Sequence, residues 1–543
     1  MSRNNSEERI GLLEEGQNVR TDTEEVGAAA NAPTSAEPAT KSFWEIAYIV
    51  APMDPTISAL GTFMASMDQT IVIASAAKLG DELKALESTS WVSTAYMLSL
   101  ASFQPMYGKL SDIFGRKPCL LSAYVIFALG CIACGNAQTM GQLIAARLLA
   151  GVGGGGMSTI VSIIMSDVID LRSRGTWQVW ATGSAVGAPL GGFFADNIGW
   201  RWSFLLQAPL AMIPFFAVLK ILQVPPTPGS HAPLQTKLQR IDFAGSGCLV
   251  LTLASLLTAL DRGGNIGWDN TFTLTALACA IAAGVAFIVV ECTFAREPVA
   301  PPRILSNPAL LAPYICNLTS LGCSVATVFY VALYVQAVRG RTAAQAGATL
   351  LPSIIASVMG SLLGGAVIQR TGRFKRLTTG MYVVMVGGST LIAFATGAAG
   401  WHSDLGLGVG LFMMSIGNGC GLTTTLVSLI AQAGSADQAV ATAVSYLFRS
   451  LGSVLCLSVG STIFQATLRR KLHATLEGAD VDEIVRRVRE ALSYMDELDP
   501  HTSSVVRGAY EQSLQRTFDF CIFLSATAFL CSVWVREKPS AVG

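Results

Sequence analysis

An all-α membrane protein is predicted by three features of the sequence. Hydrophobic residues make up 51% of the 543 positions and charged residues only 13%. Apolar stretches of about 20 residues recur along most of the chain, and short polar islands rich in Gly, Lys and Arg separate them. Soluble domains carry about 25% charged residues, and a helix needs about 20 apolar residues to cross the hydrocarbon core. The formal net charge is zero, which gives nucleic-acid binding no electrostatic support.

Taken in order, the first 40 residues are polar and rich in Glu, Asn, Ser, Thr and Ala, which predicts a disordered cytosolic tail over 1–50 without a cleavable signal peptide. Spans are expected at about 56–76, 91–109, 118–136, 142–166, 177–195 and 203–223. The linker VPPTPGSHAPLQTKLQR (224–240) leads to spans at about 241–260 and 271–291. After AREPVAPPR (295–303) come spans at about 309–335, 343–368, 377–398, 405–430, 438–466 and 517–535. The expected organisation is an N-terminal six-helix half (51–223), a linker with two extra central helices (224–308), a C-terminal six-helix half (309–535) and a tail (536–543), fourteen spans in all.

The connection at 467–516 is long and holds DVDEIVRRVREALSYMDEL (480–498), where Val481, Ile484, Val485, Val488 and Leu492 share one helical face and Asp480-x-x-Glu483 reads as a capping start. It is expected to form a surface helix over the outer mouth of the bundle. Lys and Arg gather in connections on the side of the N-terminus, among them Lys109, Arg116, Lys117, Arg370, Arg373, Lys375 and Arg376. The opposite connections carry few, such as Lys78, Lys84, Arg201 and Arg262. The bias predicts that both termini are cytosolic.

Most of the twelve cysteines lie inside apolar runs, which argues for packing and against a disulfide framework. All four histidines fall outside the expected spans, so neither an imidazole relay nor a metal site is expected. No G-x-x-x-x-G-K-[ST] loop is present, so direct use of ATP and any cofactor are not expected. No nucleophile–base arrangement emerges, which argues against an enzyme.

The chemistry therefore rests on polar residues inside or beside the spans. GKLSDIFGRKP (108–118) places Gly108, Asp112, Gly115, Arg116 and Lys117 between two apolar runs. A tight span-joining turn needs Gly, and cations hold its orientation. Asp112 is required by neither need and predicts an ion pair or a helix-end contact. The stretch resembles the loop signature of the major facilitator superfamily, with a weaker echo at GGAVIQRTGRFKR (364–376) as repeated halves would give. The resemblance implies a fold of two six-helix halves and a cytosolic latch made by Asp112, Arg116 and Lys117 during alternating access.

Three further stretches extend the resemblance. RLLAGVGGGG (147–156) is similar to the span-four motif of an Arg followed by Gly-rich turns, with Ala150 where the motif usually has Gln. GSAVGAPLGG (183–192) is similar to the span-five antiporter motif. There Gly183, Gly187 and Gly191 recur every four residues, and Pro189 stands one place later than usual. MASMDQTIV (64–72) carries Asp68 and resembles the Asp-x-Thr motif of the fourteen-span drug:proton antiporters, with Ile73 and Ala77 in place of the Asn and Pro that often follow. With ATAVSYLFRSLGSVL (441–455), the set most resembles fungal vacuolar basic amino acid transporters.

Asp68, Arg147 and Arg449 are the candidate coupling residues, because intramembrane charges are costly and by default functional. Burial opposes ionisation of a carboxylate and a nearby cation favours it, so a carboxylate placed like Asp68 can exchange a proton. Asp68→Asn is expected to leave folding intact and abolish gradient-driven flux. Glu8, Leu12 and Leu13 in EERIGLLEEG resemble an acidic dileucine signal read by a sorting adaptor and directing proteins to vacuoles. The resemblance implies a proton antiporter of small organic solutes, foremost basic amino acids entering a vacuole. A plasma-membrane efflux pump for drugs or secondary metabolites stays open as the alternative, and a non-transporting nutrient sensor as a distant one.

Overall fold

A computed structural model describes residues 55–168, 184–222, 243–294, 302–476, 481–490 and 492–537. The N-terminal group of helices comprises α1 (Pro55–Glu82), α2 (Thr89–Phe114), α3 (Arg116–Gly135), α4 (Met140–Val168), α5 (Ser184–Asn197) and the broken pair α6 (Trp200–Leu205) and α7 (Gln207–Ile221). Next come α8 (Phe243–Asn265) and α9 (Thr271–Val289). The C-terminal group contains α10 (Pro308–Ala337), α11 (Ala343–Thr349), α12 (Leu351–Thr371), α13 (Lys375–Ala395), α14 (Asp404–Thr475), α15 (Val481–Glu490) and α16 (Pro500–Val533). Among the described residues no strand forms; Thr396 and His402 make one isolated bridge.

Eleven described helical segments are long and apolar enough to cross a membrane. The expected spans at 56–76 and 91–109 correspond to α1 and α2, helices of 28 and 26 residues. The low apolarity of α2 has a physical reason: it buries Ser90, Ser93, Thr94, Ser99 and Ser102 inside the bundle. The fifth expected span is described only as α5, of 14 residues. In contrast, α9 is hardly buried and exposes Leu274, Ile281, Val285 and Ile288, the surface of a helix at the lipid boundary.

Local chemistry explains the breaks. Gly115 adopts φ +94° between α2 and α3, a left-handed residue that only Gly takes without strain. Asn307 caps α10 by accepting from the Ala309 N–H, with Pro308 as the first helical residue. Thr342 and Gln345 form a reciprocal capping box on α11. Asp499 caps α16 by accepting from the Thr502 N–H.

Helix α14 covers 72 residues without a break in its hydrogen-bond pattern, yet it cannot be straight. The Arg449 Nη2 donates to the Leu422 carbonyl at 2.9 Å across 27 residues, a separation of about 40 Å in a straight helix. The chain therefore folds back, and its two limbs, Asp404–Ala433 and Val440–Thr475, each qualify as a span.

Two sequence expectations are corrected. The Gly run after Arg147 makes no turn: Gly151, Gly153, Gly154, Gly155 and Gly156 lie in α4, where added Cβ atoms would strike α2 or α3. They permit close helix approach on two sides. The connection at 467–516 is mostly helix, because α14 runs to Thr475 and α16 begins at Pro500. These extensions bury Leu468, Leu472, Val506, Tyr510 and Leu514 in the C-terminal core while charges cover the other faces, a pattern that a search for uniformly apolar runs overlooks. His473 and His501 consequently lie in helices and not in loops. Between the extensions α15 buries Val485 and Val488, and its carbonyl at Val488 accepts from the Tyr510 hydroxyl at 2.8 Å. Asp480 lies outside the described residues.

Candidate functional site: a buried charge cluster between the spans

Asp68 and Arg147 meet in the middle of the N-terminal helices, both fully buried. The Arg147 Nη1 donates to Asp68 Oδ2 at 2.5 Å, its Nη2 to the Asp68 carbonyl at 3.5 Å and its Nε to the Val92 carbonyl at 3.1 Å. The guanidinium sits 4.3 Å from the Tyr96 ring centre and 5.5 Å from that of Phe204. The Gln207 Nε2 donates to the other carboxylate oxygen, Asp68 Oδ1, at 3.0 Å and to the Ser203 carbonyl at 2.9 Å. Four helices, α1, α2, α4 and α7, thus converge on one ion pair, with α6 supplying Ser203 and Phe204. A pair this deep is strongly interdependent: removing one member leaves the other charged and desolvated at a cost of about 3–5 kcal/mol.

Gln207 escaped the sequence reading because an amide at the start of a span looks like an ordinary boundary residue. Its own Oε1 has no partner. The amide beside the carboxylate thus comes from α7, while Ala150 packs its backbone against Gly130.

Helix α5 presses on α1 next to this cluster. A Cβ at Gly187 would collide with Thr70 Oγ1 and the Met67 carbonyl, and one at Gly191 with the Ile71 carbonyl. Both glycines therefore bound the turn of α1 that carries Asp68. Pro189 lies between them inside α5, and Gly183 falls outside the described residues.

In the loop signature, Gly115 supplies the positive-φ turn and Arg116 donates to Ser111 Oγ at 3.0 Å. A Cβ at Gly108 would meet only Thr159, 4.0 Å away, so packing does not demand Gly there. Lys117 opens α3 beside Arg116. Asp112 belongs to the last turns of α2, and its side chain lies outside the described residues, as do Glu8, Leu12 and Leu13.

Arg449 stands apart from the Asp68 cluster, on the second limb of α14. Its guanidinium is held by the Leu422 carbonyl and by the Tyr446 ring, 5.3 Å away. Next to it, Ser450 Oγ donates to Gln104 Oε1 at 2.8 Å, and Gln104 Nε2 donates to Ser158 Oγ at 3.3 Å, joining the two groups of helices. On the opposite face, which carries Glu82, further contacts join the two groups of helices. Ser90 and Ser461 hydroxyls lie 3.0 Å apart, Gln336 Nε2 donates to the Ala74 carbonyl at 3.2 Å, and Asp196 accepts from the Ala344 N–H at 2.7 Å. Asp81 accepts from the Leu492 and Ser493 N–H groups. Among the described residues no group of three or more His, Cys, Asp or Glu could hold a metal.

Converging spans around a buried ion pair define a polytopic membrane protein of the transporter type. The profile of the Major Facilitator Superfamily matches residues 58–456, and the chain belongs to that family. It is 38% identical over 485 residues to the vacuolar membrane amino acid uptake transporter fnx2 of Schizosaccharomyces pombe, covering 88% of this chain and 83% of that protein. It is 34% identical to the multidrug resistance protein fnx1 of the same organism, covering 88% and 91%. The vacuolar basic amino acid transporter 2 of Saccharomyces cerevisiae is 28% identical, covering 82% and 97%. A crystal structure of a bacterial homologue of the human lysosomal transporter Spinster, inward-facing and unoccupied, aligns with a TM-score of 0.58 at 15% identity, covering 91% and 99%, which establishes the common fold. The protein is therefore an integral, multi-pass membrane transporter of small molecules.

Proposed function

We propose that the chain is a proton-coupled antiporter that loads basic amino acids into an acidic vacuole by alternating access. The observation that carries the coupling is the buried Asp68–Arg147–Gln207 cluster. With Asp68 ionised, Arg147 is neutralised and α1, α2 and α4 are tied together. A proton on Asp68 cancels the charge, loosens the hold on Arg147 and lets α1 move against its neighbours. Conversion between these forms is the coupled step. The identities to vacuolar amino acid transporters of two yeasts support the cargo class.

The Lys and Arg bias supports cytosolic termini. With that orientation, the Glu82 face is lumenal. The loop signature with Asp112, Arg116 and Lys117 then serves as the cytosolic latch. The acidic dileucine pattern at Glu8, Leu12 and Leu13 fits adaptor-directed sorting to the vacuole.

Export of drugs or metabolites is the second reading, favoured by the 34% identity to a multidrug resistance protein. Uptake of labelled lysine, arginine and histidine into energised vacuolar vesicles, with and without the protein and an uncoupler, separates the two. Gradient-dependent uptake that requires the protein upholds the amino acid reading. No difference, in vesicles that contain the protein, overturns it in favour of export.

A further inference from the structure

The two intramembrane arginines differ in one respect. Arg147 has a carboxylate partner, and Arg449 has none among the described residues. The ionisable groups that face Arg449 are two phenols, Tyr446 and Tyr382. A guanidinium offers five N–H donors; here one is used, on the Leu422 carbonyl, and Nε is buried with no partner. The side chain is half-buried and keeps part of its surface accessible.

Its neighbourhood holds further polar groups without partners. Tyr382 Oη and Ser320 Oγ are buried beside one another, and among the described residues neither makes a hydrogen bond of good geometry. Buried polar groups are rarely left unsatisfied unless a ligand, ion or water completes them. Two hydroxyls and a cation, all able to donate, suit an anion with two oxygens, because guanidinium and carboxylate match in planar, two-pronged geometry.

We propose that Arg449, with Tyr382 and Ser320, forms a subsite in the C-terminal helices that binds the α-carboxylate of the transported amino acid. The inference rests on the amino acid reading above. It divides the labour between the halves: Asp68 carries the proton against an internal cation, and Arg449 keeps its charge for the cargo. The subsite selects an amino acid over an amine of the same length and charged end.

The test uses the purified full chain in proteoliposomes with an imposed proton gradient. Labelled lysine is the substrate, and 1,5-diaminopentane, which is lysine without its carboxylate, is the competitor. The wild-type chain is expected to prefer lysine by about 10- to 100-fold, the range for a charge-assisted contact. Arg449→Gln is expected to remove that preference, leaving both compounds at the affinity of the amine, while Arg449→Lys retains part of it. Tyr382→Phe deletes a hydroxyl that has no well-formed hydrogen bond among the described residues and is expected to fold while reducing the preference severalfold; it decides the matter if the Arg449 variants do not fold. Preference unchanged in folded Arg449→Gln or Tyr382→Phe, or absent from the wild-type chain, overturns the subsite alone. A wild-type chain that takes up no lysine overturns the amino acid reading and the subsite with it. Replacing chloride by gluconate is expected to leave uptake unchanged; a chloride requirement that Arg449→Gln removes assigns the site to an inorganic anion and overturns the proposal.

Discussion

The Asp68–Arg147 pair invites a double-mutant cycle. Asp68→Asn leaves the fully buried Arg147 guanidinium with two backbone carbonyls and two aromatic rings but no countercharge. Arg147→Gln leaves a buried carboxylate with only the Gln207 amide. Each single change is expected to cost about 3–5 kcal/mol. The double variant removes both charges and is expected to recover part of that loss, with an interaction term of about 2–3 kcal/mol. This revises the expectation that Asp68→Asn alone leaves folding intact. Thermal unfolding of the purified variants in detergent, followed by intrinsic fluorescence, reads the order: wild type above double, double above either single. Proton-driven uptake is expected to be lost in all three. Additive destabilisation within about 0.5 kcal/mol, or gradient-driven uptake by the double variant, refutes the reasoning.

Further outcomes are expected at four positions. Gln207→Leu takes the only side-chain donor from Asp68 Oδ1 and should destabilise by about 1–3 kcal/mol, measurable by the same unfolding assay. Gly191→Ala drives a methyl group into the Ile71 carbonyl and should cost about 1–3 kcal/mol of overpacking, whereas Gly108→Ala, with open space around it, should unfold with the wild type. Burial pushes the Asp81 carboxyl above the usual carboxylate range, outweighing the Leu492 and Ser493 N–H groups that favour its ionised form, with Asp496 raising and Lys78 lowering it further. The group takes up a proton more readily in contact than free, so the contact is strongest below the ordinary carboxylate pKa and weakens as pH rises through the raised value. Amide exchange at Leu492 and Ser493, corrected for intrinsic rates, should therefore show less protection at about pH 7 than at about pH 4, and Asp81→Asn should flatten the dependence. Protection that grows with pH contradicts the sign.

Much of the architecture was legible before any coordinates. Apolar runs must become helices in a bilayer, because unpaired backbone groups cannot be tolerated there. A charge inside such a run stands out for its cost, which is why Asp68, Arg147 and Arg449 were visible as candidates. The four-residue spacing of Gly187 and Gly191 announced a close helix contact, and Gly115 announced a turn. Other features left no such mark. Residues 467–516 looked like a loop because only one face of each helical extension is apolar, and the burial of Leu468 and Tyr510 depends on helices far away in sequence. Gln207 and Gln104 are uncharged amides whose importance depends on the partner across the interface, and the space around Gly108 could not be read from its place in the motif.

By itself, then, the sequence determined the class of solvent, the run of helices and the list of expensive charges, since these depend on local composition and spacing. Tertiary structure alone decided that Asp68 and Arg147, 79 residues apart in the chain, satisfy one another while Arg449 has no carboxylate partner among the described residues. Pairing of this kind is a property of distance in space, and in a protein interior of low dielectric that distance decides whether a charge is held, shared or left for a ligand.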